Sequence, residues 1–390
     1  MTVLPLLIQR QPFISHKLPT NKIMLKPKTK WLLDAPTSAT NPKADTPLYK
    51  FLVRLVRGED LSMDEASDFF RVLTDPATYP QQIAGALAAL TAKGETFAEL
   101  AGMARVLREN AVTIKTRYTN YIDTTGTGSS AAKTFNVSTA AAFVIAGAGL
   151  PVAKQVSRAV LSNTGSAEVL AKLGVKVSGE PEIARACLDG AGIGFMFAPK
   201  FHPTLKRVGT IRSNLGIRSC FNLLGVLSNP TMPPKQIVGV WHQSLVEPMA
   251  QALMLLGTQN AWVVHGKDGL DEITLIGETL VTEVNGNKVR KFVVTPEDFG
   301  LSRSEISHLK AETPEESAKI ISDVLESRRR DEARSLVILN AAAALLVGGL
   351  ADSPLHAARL AEQSIDSRSA QVKLERLIQT TNKQQIIIGK

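Results

Sequence analysis

Gly126-Thr-Gly128-Ser-Ser-Ala131 is the segment of this 390-residue chain whose residue types most directly suggest a chemistry. Closely spaced glycines let a backbone wrap tightly around an anion. The spacing matches GxGxxG/A, but a dinucleotide site also wants an apolar strand directly before the loop and an acidic residue closing the next strand. Tyr118-Thr-Asn-Tyr-Ile-Asp123 precedes the loop, and the next strand is expected to end in Lys154, so neither requirement is met. A Walker phosphate loop fails as well, because no Gly-Lys-Ser/Thr closes the glycine run. What remains is a polar loop feeding Asn136-Val-Ser-Thr139 at a helix start. Exposed N–H groups, the positive end of a helix dipole and side-chain hydroxyls would make an anion site there, with Lys154 reaching the same crevice from the following strand. The competing reading is that Asn136 and Ser138 only cap a helix, and the pattern alone does not choose between the two.

Those residues need elements to hold them. From about residue 47 to 117 the chain reads as consecutive short helices. Ser62-Met-Asp-Glu65 and Thr96-Phe-Ala-Glu99 both match the capping box, in which hydroxyl and carboxylate satisfy the orphan N–H groups of a helix start reciprocally. Beyond Tyr121 the pattern changes to a glycine-rich turn, a helix over 136–149, then Pro151-Val-Ala153 as a strand. That β-α-β order argues for a largely parallel sheet. A helical stretch over 203–228 interrupts the alternation, and strand-like Ala261-Trp-Val-Val264 resumes it. Residues 273–294 alternate and turn at Asn285-Gly286, a hairpin signal. Thr313-Pro-Glu-Glu316 supplies an N-cap, an N1 proline and an N3 glutamate, and the stretches 336–350 and 356–378 read as closing helices.

The expected fold is therefore α/β: a small all-helical domain plus a larger α/β domain with a mostly parallel central sheet. The expected boundaries are 46–117 for the helical domain, with 203–228 returning to it, and 118–202 with 229–380 for the α/β domain.

Composition bounds what such a molecule can do. At 44% hydrophobic residues the chain can fill two cores. Its longest apolar run, residues 140–153, is interrupted by glycines and a proline and falls short of the roughly 20 residues a membrane span needs, so no membrane association is expected. The net charge of +9 is unevenly spread: residues 1–45 hold seven basic residues against Asp34 and Asp45, a net +5. The body is near neutral and lacks a basic run interleaved with aromatics, so nucleic-acid binding is not expected. Residues 1–45 read as a basic flexible extension, with an organelle-targeting peptide as the alternative. Cys187 and Cys220, with no CxxC or Cys/His cluster, fit a reducing compartment, the cytoplasm, and no zinc site.

Taken together, Asp123-Thr-Thr-Gly-Thr-Gly128, Thr134-Phe-Asn-Val-Ser-Thr-Ala-Ala-Ala142 and Pro151-Val-Ala-Lys154 resemble the central signature of the anthranilate phosphoribosyltransferase family. Further segments are similar to the family in the same order: Arg158-Ala-Val160, Gly165-Ser-Ala-Glu-Val-Leu170, Ile211-Arg-Ser-Asn-Leu-Gly-Ile-Arg218, Phe221-Asn-Leu-Leu-Gly225, Asn229-Pro230, Val263-Val-His-Gly-Lys-Asp-Gly-Leu-Asp-Glu272 and Pro296-Glu-Asp-Phe-Gly-Leu301. The resemblance covers about residues 46–380. It implies a nucleoside phosphorylase/phosphoribosyltransferase type of fold, a homodimer formed through the helical domain, and Mg²⁺-dependent transfer from phosphoribosyl pyrophosphate to an aromatic amine, anthranilate first, in tryptophan biosynthesis. By the same resemblance Gly126, Thr127, Gly128, Asn136, Ser138, Thr139, Lys154, Ser157, Ser166 and Arg212 would bind the substrates. Lys154 and Arg212 would serve catalysis, Arg212 by meeting the acceptor's carboxylate. Ser138, Asp271 and Glu272 would hold Mg²⁺, since a hard dication wants oxygen ligands. Outside that motif, Asp-Glu after a glycine would read as a solvated turn.

Three segments depart from the family. Its Gly-Thr-Gly-Gly-Asp reads Gly126-Thr-Gly-Ser129-Ser130 here, its Lys-His-Gly-Asn-Arg reads Lys154-Gln-Val-Ser-Arg158, and its proline after Phe-Asn-Leu-Leu-Gly is Val226. If the replaced glycines held positive φ, Ser129 and β-branched Val156 would force a different backbone path. Loop changes on a retained frame leave open a relative with a different acceptor, or a non-catalytic ligand- or nucleic-acid-binding role.

Overall fold

A computed structural model describes residues 46–128, 130, 132, 134–157, 164–177 and 180–388. Seven strands form one sheet: β1 Ile122–Gly126, β2 Val152–Val156, β3 Ile193–Phe197, β4 Lys235–Gly239, β5 Asn260–Gly266, β6 Thr279–Asn285 and β7 Lys288–Val294. Their spatial order is β3-β2-β1-β4-β5-β6-β7. The first five run parallel, and β6 and β7 complete the edge as an antiparallel hairpin. Chain order reverses direction between β1 and β4, which are paired with Gly126 opposite Gly239 at their carboxyl ends. Open parallel sheets bind ligands at such a switch point.

Buried parallel strands need not alternate, and β5 is buried from Ala261 to Gly266. Helices cover the sheet. Val137–Gly147 and Glu332–Val347 are apolar nearly all round, as fits helices enclosed by others, and they pack on each other in the larger core.

The N-terminal bundle comprises Tyr49–Val56, Met63–Thr74, Pro80–Lys93 and Phe97–Glu109. Both expected capping boxes form: Ser62 with Glu65, and Thr96 with Glu99. Glu99 is fully buried, and besides its cap it accepts from the Leu61 N–H at 2.9 Å and from Lys93 Nζ at 2.8 Å. Helices Lys206–Leu215 and Cys220–Leu227 share the bundle's hydrophobic core through Val208, Cys220, Phe221 and Leu224. Two arginines tie the pieces. Arg207 donates to the carbonyls of Asp75, Pro76 and Thr78. Arg108 donates to the terminal carbonyls of two helices, Leu227 at 2.7 Å and Leu256 at 3.2 Å, placing a cation where helix dipoles are negative.

Several sequence expectations require correction. The polar segment Ile122-Asp-Thr-Thr-Gly126 is the central strand, so a strand does precede the glycine loop. Asp123 is satisfied internally, accepting from Thr125 Oγ1 at 2.6 Å and from Asn229 Nδ2 at 2.8 Å, whereas the buried Thr124 hydroxyl has no partner among the described residues. Lys154 lies mid-strand, since β2 continues to Val156. The stretch 356–378 is two helices, Pro354–Asp366 and Ser369–Ile388, broken where Arg368 takes a φ of 60°. In the hairpin Asn285 pairs with Lys288, so the turn centres on Gly286-Asn287 with Gly286 at φ 56°.

Candidate functional site

A cleft of about 890 Å³ opens at the carboxyl ends of β1 and β4 and extends to the helices packed on the bundle. Its geometry starts from two glycines. A Cβ on Gly239 would sit 1.6 Å from the Asp271 carbonyl oxygen, and one on Gly126 would sit 2.8 Å from Asp271 Oδ2. Only side chains reduced to hydrogen let the segment carrying Asp271 and Glu272 settle onto the strand ends. The Thr127 N–H bonds the Gly239 carbonyl at 2.9 Å and turns the glycine loop outward. Gly128, at φ 64°, donates its N–H to Asp271 Oδ2 at 2.9 Å. Glu272 Oε1 accepts from the Ser138 N–H at 3.0 Å at the start of helix Val137–Gly147. Lys154 rises from β2 beneath them, donating to the Thr124 carbonyl and to Ser138 Oγ at 3.4 Å.

The electrostatics are those of two partly buried, adjacent carboxyl groups. Burial raises the Asp271 carboxyl above its ordinary range, opposed by hydrogen bonds from Ser130 and the Gly128 N–H. Burial and the neighbouring Asp271 charge push Glu272 up to about 8. Burial lowers Lys154, against the charges of Asp123, Glu272 and Asp271. Two carboxylates so displaced, with Ser138 beside them, suit a small hard cation. Among the described residues no group of three or more His, Cys, Asp or Glu could hold a metal. Mg²⁺ matches that sparse donor set, because it keeps waters and takes phosphate oxygens rather than demanding a full protein cage.

Of the residues expected from the sequence, Gly126, Thr127, Gly128, Asn136, Ser138, Lys154, Ser157, Ser166, Arg212, Asp271 and Glu272 all line this one cleft. Thr139 does not. It is fully buried, because the residue after Ser138 points about 100° round the helix into the core. Asn136 occupies the N-cap position without capping through its side chain. It instead accepts from Ser317 Oγ at 2.9 Å and donates to the Thr164 carbonyl at 3.3 Å. Arg212 lies on Lys206–Leu215 and donates from Nη2 to Asn222 Oδ1 at 3.0 Å, while its buried Nε has no partner among the described residues. Val156 is an ordinary strand residue, absent from the positive-φ positions, so the strain considered there does not arise. Ser129 and Arg158 lie outside the described residues.

Sequence reasoning missed several participants. Gly239 carries no local signal, because its role depends on a segment 32 positions away in the chain. Asn229 was visible as Asn229-Pro230, but not as the clamp that binds both Asp123 and the Ala153 carbonyl. Gln155 and His202 meet inside the cleft wall, with His202 Nε2 3.4 Å from Gln155 Oε1.

Comparison with known proteins aligns with this geometry. A model of the glycosyl transferase family α/β domain matches residues 118–371, and one of the family's helical bundle domain matches residues 49–111. The anthranilate phosphoribosyltransferase of Moorella thermoacetica is 44% identical over 325 residues, covering 83% of this chain and 96% of that protein. The enzyme of the same name from Symbiobacterium thermophilum is 44% identical over 335 residues, 86% of this chain and 98% of its own length. The crystal structure of the Thermus thermophilus anthranilate phosphoribosyltransferase superposes with a TM-score of 0.79 at 35% identity, over 85% of this chain and 99% of that one. The Saccharomyces cerevisiae enzyme, solved in complex with PRPP and Mg, gives 0.80 at 26% identity over 88% of this chain and all of its own.

Proposed function

This chain belongs to the anthranilate phosphoribosyltransferase family, and we propose that it transfers the phosphoribosyl group of phosphoribosyl pyrophosphate to anthranilate, releasing pyrophosphate. The observation that carries this reading is the Asp271–Glu272 pair, seated on the Gly126/Gly239 strand ends beside a helix N-terminus. The Saccharomyces cerevisiae enzyme, solved in complex with PRPP and Mg, supports it.

In this reading Asp271 and Glu272 hold Mg²⁺ with the Ser138 hydroxyl. The ion, when bound, neutralises the charge that develops on the departing pyrophosphate. The chain's own groups do the rest. Gly126, Thr127 and Gly128, with Asn136 and the Ser138 hydroxyl, line the part of the cleft that takes the phosphate groups, at the positive end of helix Val137–Gly147. Ser166 lines the same wall, and Lys154 sits beneath, where Asp123, Glu272 and Asp271 favour the charge that burial disfavours. Arg212, on the cleft wall, takes the acceptor's carboxylate and turns the amine toward the anomeric carbon. The C–N bond forms as the C–O bond to pyrophosphate breaks, and the amine's proton leaves to solvent. A neutral arylamine needs no general base, which fits a site built on positioning and electrostatics.

Thr139, buried behind the helix start, supports the loop rather than touching substrate. Ser157, on the exposed rim of the acceptor side, replaces the family asparagine.

We divide the chain into a helical domain, 46–117 with 203–228, and an α/β domain, 118–202 with 229–380. We further propose a homodimer formed through the bundle, where Val56 at 58% and Tyr79 at 45% exposure need cover. Sedimentation as a monomer at micromolar concentration would remove the dimer. Two buried free thiols, Cys187 and Cys220, favour a reducing compartment, the cytoplasm. No helix among the described residues is long and apolar enough to cross a membrane. The transfer itself is tested by following the loss of anthranilate fluorescence with phosphoribosyl pyrophosphate and Mg²⁺. No loss at any Mg²⁺ concentration would refute it.

A further inference from the structure

We propose that Ser317 is a positioning residue of the site: it holds the Asn136 side chain off its own helix, so that the amide nitrogen serves the phosphate end of the cleft and the Ser138 N–H stays with Glu272. This rests on the transfer reading above and adds to it a residue that does not itself line the cleft.

Ser317 lies in the first turns of helix Pro314–Leu325, directly after the Thr313-Pro-Glu-Glu316 start, with its side chain fully buried. A buried hydroxyl needs partners, and here both are on one residue. Ser317 Oγ accepts from the Asn136 backbone N–H at 2.9 Å and donates to Asn136 Oδ1 at 2.9 Å. The other end of the amide settles its orientation. Asn136 Nδ2 donates to the Thr164 carbonyl at 3.3 Å, and a carbonyl only accepts, so the nitrogen faces Thr164 and the oxygen faces Ser317. An amide nitrogen carries two hydrogens. Thr164 takes one, which leaves the second for a phosphate oxygen in the cleft that Asn136 lines.

The place of Asn136 in its helix makes this restraint consequential. It is the N-cap of Val137–Gly147, and an asparagine there ordinarily turns its side-chain oxygen onto the N–H of the second or third helical residue, here Ser138 or Thr139. Neither bond forms. The Ser138 N–H goes to Glu272 Oε1 at 3.0 Å, and the Thr139 N–H to the Asn136 carbonyl at 3.1 Å. Ser317 occupies the oxygen that would otherwise compete with Glu272 for Ser138. Without its hydroxyl the side chain is free to cap its own helix, which draws Nδ2 away from Thr164 and takes a hydrogen bond from the carboxyl proposed to hold Mg²⁺. Ser317 thus acts on both the phosphate and the cation end of the ligand through Asn136.

The test is a double-mutant cycle, read by calorimetric titration of phosphoribosyl pyrophosphate with Mg²⁺ into the full chain, its Ser317→Ala and Asn136→Ala variants and the protein carrying both. Each single change is expected to weaken binding about three- to tenfold, the scale of one lost hydrogen bond. The double variant should bind about as Asn136→Ala alone does, because Ser317 acts through that side chain. A role in holding the backbone alone would instead make the two losses add. Ser317→Cys, which keeps the volume and donates only weakly, takes the place of the alanine variant if that one fails to fold. Unchanged affinity in whichever Ser317 variant is used, or losses that add in the double variant, would overturn the proposal. A failure of the transfer reading shows separately, as no pyrophosphate release with anthranilate, while the binding cycle still decides the role of Ser317.

Discussion

Glu272 accepts a hydrogen bond from the backbone N–H of Ser138 at 3.0 Å, which fixes the second carboxylate of the Asp271–Glu272 pair onto the N-terminus of helix Val137–Gly147. One contact thus joins the carboxyl pair proposed to hold Mg²⁺ to the helix N-terminus proposed to face the pyrophosphate.

Replacing Asp271 by Asn and Glu272 by Gln keeps an acceptor for the Gly128 and Ser138 N–H groups while removing the negative charge the pair can carry. The double variant should fold, because burial already disfavours those charges. It should lose the Mg²⁺ dependence of phosphoribosyl pyrophosphate binding measured by calorimetry. Unchanged affinity and unchanged Mg²⁺ dependence would remove the metal assignment.

Gly239→Ala tests the cradle from the other side. Its Cβ would lie 1.6 Å from the Asp271 carbonyl oxygen, a backbone atom that can move only by displacing the whole 271–272 segment. Overpacking of this kind costs about 1–3 kcal/mol of stability. Beyond that loss, seen by urea unfolding, Mg²⁺-dependent binding should weaken at temperatures where the variant is fully folded. Binding equal to the unaltered protein would show that the cradle does not position Asp271.

His202 should leave a signature in acid. Burial lowers its pKa from 6.5 to about 4, so between these values the unfolded chain binds the proton that the folded chain refuses. Stability should therefore be unaffected above about pH 7 and fall as pH drops through that window, by on the order of 3 kcal/mol at most. His202→Gln should flatten this part of the curve in urea unfolding measured from pH 7 to 4. An identical slope in the variant would mean that another group titrates there.

Much of the fold was legible because its signals are local. Ser62, Thr96 and Thr313 each name a helix start within four residues, and the Asn285-Gly286 pair marks the hairpin to within one position. The central strand was not legible. Asp123 and Thr125 argue against a strand core until Asn229, 106 residues further on, is seen to satisfy Asp123. The break at Arg368 was hidden for the opposite reason, since no glycine or proline marks that left-handed residue. Within the site, the residues that approach ligand through backbone or short side chains stood out as motif. Those that act through distant partners, Gly239 on Asp271 and Gln155 on His202, did not, because sequence spacing carries no record of which strand ends lie side by side.

The central claim, phosphoryl-sugar transfer driven by this cation-dependent site, is most directly tested by quantifying pyrophosphate released from phosphoribosyl pyrophosphate as Mg²⁺ is titrated in the presence of anthranilate, with the consumed amine counted in parallel. The account predicts release that requires both Mg²⁺ and the amine, one pyrophosphate per anthranilate consumed, and none from the Asp271→Asn, Glu272→Gln protein. Pyrophosphate release independent of Mg²⁺, or no release with anthranilate, would contradict it.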